Sequence, residues 1–153
     1  MATRGFEFAY SLDGSGATPV IRDFILGAAA DHLAGDLMLV QSDDGFIDAV
    51  TGSTTLVTCV MQQKRDSGKV TAGTTKGKAA IITREQVWKC SSNASSVDGK
   101  IGYNKLQDTL DKNTLDATDV SNGRAIIVEN TATDEEGNII LYVVFSDTTF
   151  GNV

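Results

Sequence analysis

The residues that could carry out covalent chemistry are few, because the chain of 153 residues has a single histidine, His32. A hydroxyl or thiol nucleophile usually needs a neighbouring base, so a Ser-His-Asp or Cys-His arrangement would have to include His32. No G-x-S-x-G motif occurs, and Gly14-Ser15-Gly16 is interpreted as a flexible tripeptide. A lone histidine with no cysteine or second histidine nearby is predicted to lie on the surface. The sequence therefore predicts no enzymatic activity and no catalytic residue.

Two other patterns resemble ligand sites only superficially. The segment Gly73–Lys78 departs from the P-loop motif, because its glycines are too close together and Ala79 stands where Ser or Thr is required. The carboxylate clusters Asp43-Asp44 and Asp134-Glu135-Glu136 are expected on hydrated hairpin tips, and the second lacks the alternating oxygen ligands of an EF-hand. We predict surface turns at all three places, with no metal site and no cofactor.

The two cysteines, Cys59 and Cys90, fall in different predicted strands and in no C-x-x-C motif. This argues against zinc binding and against thioredoxin-type redox chemistry. Isolated cysteines in strands are usually small buried hydrophobic residues. A disulfide would need their α-carbons within about 7 Å, a distance that the sequence does not give, so their pairing stays open.

The overall charge excludes two classes of partner. The formal net charge is -7 at pH 7 and the pI is about 4.5. Nucleic acids and anionic membranes are bound through clustered Lys and Arg, so neither partner is expected. Residues 1–20 lack the apolar region of a signal peptide, and no apolar run reaches the about 18 residues of a membrane span. We expect a protein made in a cytosol and used there or after release from it.

The stretch Leu33–Gln62 contains three β-type segments separated by turn signals. An Asp-Gly pair between apolar runs is a strong hairpin signal, because glycine tolerates the positive φ of a tight turn. The three strands are Leu37–Val40, Phe46–Val50 and Thr55–Gln62, and the turns are Asp43-Asp44-Gly45 and Thr51-Gly52-Ser53. Later strands are predicted at Lys78–Thr83, Arg84–Cys90, Arg124–Glu129 and Ile139–Phe145, the last as a central strand.

Helix is predicted in only two places. Val20–Ala30 has apolar residues at helical spacing but contains Gly27, and it is interpreted as a short helix or an irregular extended lead-in. Leu106–Leu115 is interpreted as one or two helical turns. About eight or nine short strands with so little helix predict a mainly β domain over residues 20–153, either a small antiparallel β-barrel or a sandwich.

Residues 1–19 are predicted to form an extended N-terminal arm. Three glycines and Pro19 interrupt this segment. Within it, Phe6–Tyr10 alternates large apolar with small or polar residues, which is the periodicity of a strand. Such a segment can add a strand to the sheet edge of a partner or form the first strand of the protein's own sheet, and both alternatives stay open. The candidate binding residues are Phe6, Phe8 and Tyr10.

The order of these segments resembles that of the head decoration, or cement, proteins of tailed double-stranded-DNA phages of the phage-lambda type. The resemblance covers roughly residues 33–90 and rests on short apolar words in the same order: Leu37-Met38-Leu39, then Ala49-Val50 at the end of a strand, then Val87-Trp88. It implies a β-tulip domain that binds the outside of a capsid, commonly as a trimer, and stabilises the expanded head. It also implies an N-terminal arm that adds a strand to a capsid-protein sheet, matched here by position and type at Phe6, Phe8 and Tyr10.

We therefore expect a structural virion protein on the capsid exterior, assembled in the host cytoplasm, with the major capsid protein as partner and a homotrimer as the favoured oligomer. Further candidate contacts are the turns Asp43, Asp44, Gly45, Thr51 and Gly52. The chain departs from the lambda type in residues 99–153, which leaves the symmetry position and oligomeric state open.

Two alternatives remain at this level. One is another phage structural β protein, such as a head-fibre base, a tail-tube subunit or an adaptor subunit. The other is a carbohydrate-binding β module, which would need an exposed aromatic platform. Trp88 is the only good candidate for that platform, and we predict that Trp88 lies in the core instead.

Overall fold

The computed structural model describes residues 5–51, 56–93, 104–109, 112–116, 125–133, 136–146 and 148–150. These residues form eleven strands and one 3₁₀ helix, Ser67–Lys69. The strands are β1 (Glu7–Ser11), β2 (Ile21–Ile25), β3 (Leu37–Val40), β4 (Ile47–Ala49), β5 (Cys59–Met61), β6 (Lys76–Ile81), β7 (Gln86–Ser91), β8 (Asn104–Thr109), β9 (Leu115–Asp116), β10 (Ala125–Thr133) and β11 (Ile139–Phe145).

The described strands form two antiparallel sheets. The six-stranded sheet has the order β1-β7-β11-β10-β8-β9, and the five-stranded sheet has the order β2-β6-β5-β3-β4. In each sheet one isolated bridge links strands that are not neighbours in the strand order. Leu26 pairs with Ile47 in the five-stranded sheet, and Ser92 pairs with Leu115 in the six-stranded sheet. Single bridges do not close a barrel, so the predicted mainly β fold is confirmed as a sandwich. The central position predicted for Ile139–Phe145 is confirmed by β11.

The five-stranded sheet contributes to two cores. Leu37 and Val60 belong to the core shared with the six-stranded sheet, which includes Trp88. Met38 and Met61, their neighbours in sequence, belong to a second core on the opposite face. Successive side chains of a strand point to opposite faces, so the continuous apolar runs of β3 and β5 fill both cores at once. Fully burying each such side chain stabilises the fold by about 1.5–3 kcal/mol.

Of the two alternatives for Val20–Ala30 the helix is wrong, and the helical interpretation of Leu106–Leu115 is wrong for the residues of that segment that the structure describes. Ile21–Ile25 forms β2, which pairs with β6 from Ile21 opposite Ala80 to Ile25 opposite Lys76. Asn104–Thr109 forms β8, which pairs with β10. The partners of both strands are distant in sequence, so tertiary pairing overrides a weak local periodicity.

The segment predicted as an N-terminal arm contains an edge strand of the protein's own sheet. β1 pairs with β7, with Phe8 opposite Trp88, and a bulge at Ala9 shifts the register. Its start is fixed by Gly5, whose φ of 74° brings the backbone close to Gly35. Of the two alternatives left open by the sequence, the structure has the pairing with the protein's own sheet.

Candidate functional site

The three aromatic residues predicted to bind a partner lie in three different environments. Phe6 is only 2% exposed, and its ring centroid is 5.6 Å from that of Phe145 in the core between the sheets. Phe8 is half-buried and packs edge-on against Trp88, with 5.7 Å between ring centroids. Tyr10 is 40% exposed. Phe6 is therefore a core residue, Phe8 covers the core, and Tyr10 alone presents a large surface to a partner.

The predicted β3–β4 hairpin is confirmed, and its turn is exposed. Asp43, Asp44 and Gly45 are all exposed, and Gly45 has a φ of 76°. The Asp44 carboxylate accepts a hydrogen bond from the backbone N–H of Phe46, at 2.8 Å. This carboxylate thus stabilises its own turn. Thr51 is exposed, and Gly52 lies outside the described residues.

Exposed apolar side chains recur along the stretch of chain that contains the edge strands β1 and β2 of the two sheets. Among the described residues seven large hydrophobic side chains are exposed. Four of them lie on β1, on β2 or on the segment that connects these two edge strands: Tyr10, Leu12, Val20 and Ile21. We call these four residues the β1–β2 edge. Beside it, β1 and the segment from Gly14 to Thr18 line an open groove of about 510 Å³.

A buried polar cluster was not predicted. His32 is 1% exposed rather than on the surface, so the sequence-based placement of His32 is wrong. Its backbone forms two hydrogen bonds of 2.8 Å with Arg65. The charges of Asp36, Asp48 and Lys112 act on its ring. We call these five residues the His32 cluster.

The ring of His32 is held in a setting that favours its neutral form. Neither ring nitrogen has a hydrogen-bond partner among the described residues. The Ala28 backbone lies near enough to favour protonation but not in hydrogen-bond geometry. Burial, followed by the positive charge of Lys112, lowers the pKa of His32 below its ordinary value of 6.5.

An ion pair in the cluster links segments that lead into the two different sheets. The Lys112 Nζ lies 3.1 Å from Asp36 Oδ2, and their side chains are 28% and 1% exposed. The same Nζ donates a hydrogen bond of 2.8 Å to the carbonyl oxygen of Asp31. Asp36 Oδ2 also accepts a hydrogen bond of 2.9 Å from the Leu33 amide. Asp36 directly precedes β3, and Lys112 lies shortly before β9.

The remaining members of the cluster bring further polar atoms into the same region. Asp48 Oδ1 and Arg65 Nε are buried without a hydrogen-bond partner among the described residues. A Cβ atom on Gly27 would lie 2.6 Å from Asp48 Oδ1, so the glycine leaves the space that this carboxylate occupies. No sequence signal predicts this convergence, because its members come from four separate chain segments and follow no ligand spacing.

Both thiols are buried and free, as predicted for small hydrophobic residues. Cys59 lies in the second core and Cys90 in the core between the sheets. Burial raises the pKa of Cys59 to about 12, and burial also raises the pKa of Cys90. At neutral pH both therefore remain protonated and unreactive.

The described residues contain neither a metal-binding group nor a membrane-spanning helix. No three His, Cys, Asp or Glu side chains in this part of the chain are grouped so that they could hold a metal ion. No helix among the described residues is long and apolar enough to cross a membrane.

Comparison of the chain with family models, with curated proteins and with solved structures finds no match.

Proposed function

We propose that this protein is a structural virion protein that binds the outer surface of a tailed-phage capsid and stabilises the expanded head. The observation that carries the proposal is the β1–β2 edge, where four large apolar side chains are exposed beside two edge strands. Open sheet edges that carry exposed apolar side chains are suited to binding an extended segment of a partner protein. The order of apolar segments over residues 33–90, which resembles the decoration proteins, supports the capsid as the partner.

Binding by strand addition takes a different form from the one predicted. β1 already pairs with β7 on one side, so it is not a free arm that enters a capsid-protein sheet. As an edge strand it can instead receive an extended segment of the capsid protein, with main-chain hydrogen bonds giving affinity and Tyr10 giving selectivity. The finer expectations, a β-tulip arrangement and a homotrimer at a symmetry position, belong to this proposal.

Weak contacts are sufficient for this function. A capsid repeats the same site many times, and subunits that are linked to one another bind such a lattice with far higher avidity than one contact provides. The acidic character of the chain keeps the unbound protein soluble at the concentrations that assembly needs.

The test uses a double variant of the edge, Tyr10→Ser with Leu12→Ser. Expanded, DNA-free heads of the phage that encodes the chain are incubated with the protein, sedimented, and analysed for bound protein. We expect occupancy at subsaturating concentration to fall by about tenfold or more, as for truncation of central interface residues. The matched control is Leu56→Ser, because Leu56 is 38% exposed and lies outside both edge strands and the segment that connects them. Unchanged occupancy of a double variant with an unchanged melting temperature would contradict the proposal.

The runner-up, a tail-tube or adaptor subunit, is favoured by the same open sheet edges, since edges also allow self-assembly. Sedimentation of the isolated protein separates the two: a tube subunit forms polymers, and a decoration protein stays a monomer or small oligomer until heads are added. The carbohydrate-binding alternative loses its platform, because Trp88 is fully buried, as predicted.

A further inference from the structure

We propose that Lys112 and Asp36 react with each other to form an intramolecular amide crosslink between the two sheets. The link would join the start of β3 in the five-stranded sheet to the turn before β9 in the six-stranded sheet. This inference concerns the chemistry of the chain itself and does not depend on the proposed function.

The two reacting groups are held together from several directions. Lys112 Nζ and Asp36 Oδ2 are 3.1 Å apart. The Asp31 carbonyl oxygen fixes the amine through a hydrogen bond of 2.8 Å. The backbone next to both groups is also joined, since the Leu37 amide donates to the Lys112 carbonyl oxygen at 2.7 Å. Groups fixed at contact distance by a folded scaffold react with very high effective concentrations.

The carboxyl group is placed for attack at its carbon. Its Oδ2 accepts the Leu33 amide at 2.9 Å, a donor that would stabilise negative charge on this oxygen in a tetrahedral intermediate. Its Oδ1 has no hydrogen-bond partner among the described residues and is free to depart. Asp36 is 1% exposed, so water competes poorly at this carbon.

The reaction balances without another reagent. Proton transfer within the ion pair gives a neutral amine and a neutral carboxylic acid. The acid carries its proton on Oδ1. Nζ then attacks Cγ, and a second proton passes from the attacking nitrogen to Oδ1. The Cγ–Oδ1 bond breaks, one water molecule leaves, and an Nζ–Cγ amide remains. The product removes both charges from a site where a buried ion pair is costly.

The chain contains a matched comparison for this pair. Lys78 Nζ lies 3.2 Å from Asp23 Oδ1, almost the same separation, but these side chains are 61% and 52% exposed. Exposed ion pairs stay hydrated and rarely react. A crosslink at the buried pair and none at the exposed pair is therefore the specific expectation.

The test is the intact mass of the purified, full-length protein after incubation at pH 7. We expect a mass lower than that of the sequence by one water molecule, and a tryptic peptide that joins the Asp36 segment to the Lys112 segment. Lys112→Arg should restore the full mass, and Lys78→Arg should keep the loss. A wild-type protein with the full sequence mass would overturn the proposal.

Dehydration elsewhere has to be separated from this reaction. A succinimide at an Asp-Gly pair such as Asp44-Gly45 loses the same mass, so a loss that persists in Lys112→Arg would also overturn the proposal.

Discussion

His32 shows how a single buried side chain can make a fold sensitive to acid. The neutral ring fits its site, whereas the protonated ring would be a buried cation. Because burial lowers the pKa of His32 in the folded state, the unfolded chain binds more protons between that lowered value and the ordinary 6.5. The folded state is consequently penalised as the pH falls below about 6.5.

We expect the free energy of unfolding to decrease from pH 7.5 to pH 5.5 more steeply in the wild type than in His32→Gln. Urea titrations at several pH values measure this difference. The carboxylates titrate in both proteins, so their common contribution cancels in the comparison. Parallel pH profiles would show that His32 does not contribute.

Phe6 and Tyr10 provide a second test at single residues, because they were predicted to share one role. Phe6→Ala should lower the free energy of unfolding by about 3–5 kcal/mol, the usual cost of emptying a buried aromatic site. Tyr10→Ala, at a position that is 40% exposed, should cost less than about 1 kcal/mol. Chemical denaturation measures both. Similar small losses in the two variants would mean that Phe6 is not part of the core in solution.

At these residues the sequence predicted the alternation of Phe6–Tyr10 but not which positions would be buried. Alternation places Phe6, Phe8 and Tyr10 on one face, and it does not reveal the bulge at Ala9 that shifts the register between Phe8 and Tyr10. The burial of His32 was equally beyond the sequence, because its polar neighbours come from segments that are far apart along the chain.

Among the structural elements, the β3–β4 hairpin was predictable because its signal is local. Asp44 and Gly45 determine the turn, through a side-chain hydrogen bond to Phe46 and a positive φ. β2 and β8 were missed because their partners, β6 and β10, lie far along the chain. β11 was also predictable from a local signal, because its β-branched and aromatic residues by themselves indicated a central strand.

The turn gives a prediction for this element. Gly45→Ala should lower the free energy of unfolding by about 1–2 kcal/mol, since an alanine there must adopt the left-handed conformation. A Cβ atom at Gly45 meets nothing within 4 Å, so the cost is conformational rather than steric. Gly68→Ala is the control, because its Cβ is equally unobstructed and its φ is not positive. Equal melting temperatures for the two variants would contradict the hairpin geometry.

Across the whole molecule, the five-stranded sheet contributes residues to both cores. Neither core can be lost alone, because loss of β5 would remove Val60 from one and Met61 from the other. The described sandwich is therefore expected to unfold in one cooperative transition.

One natural side chain in each core can be used to test whether the two cores unfold together. Trp88 lies in the core between the sheets and Cys59 in the second core. In a Cys90→Ala variant, the denaturant midpoint from tryptophan fluorescence should coincide with the midpoint for exposure of the Cys59 thiol, measured by pulse labelling. Separate midpoints would show that the second core opens independently.

The burial of both faces of β5 also changes what fixes its position in the sheet. In a sheet with one face in water, a slip of one residue exposes apolar side chains, so polarity enforces the register. In β5 both faces are apolar, and a slip would only exchange residues of different size between the cores. Size is discriminated at Gly77, where a Cβ atom would come within 2.8 Å of the Met61 methyl group. Mutations that alter volume here, even between equally hydrophobic residues, are therefore the ones that could shift the strand.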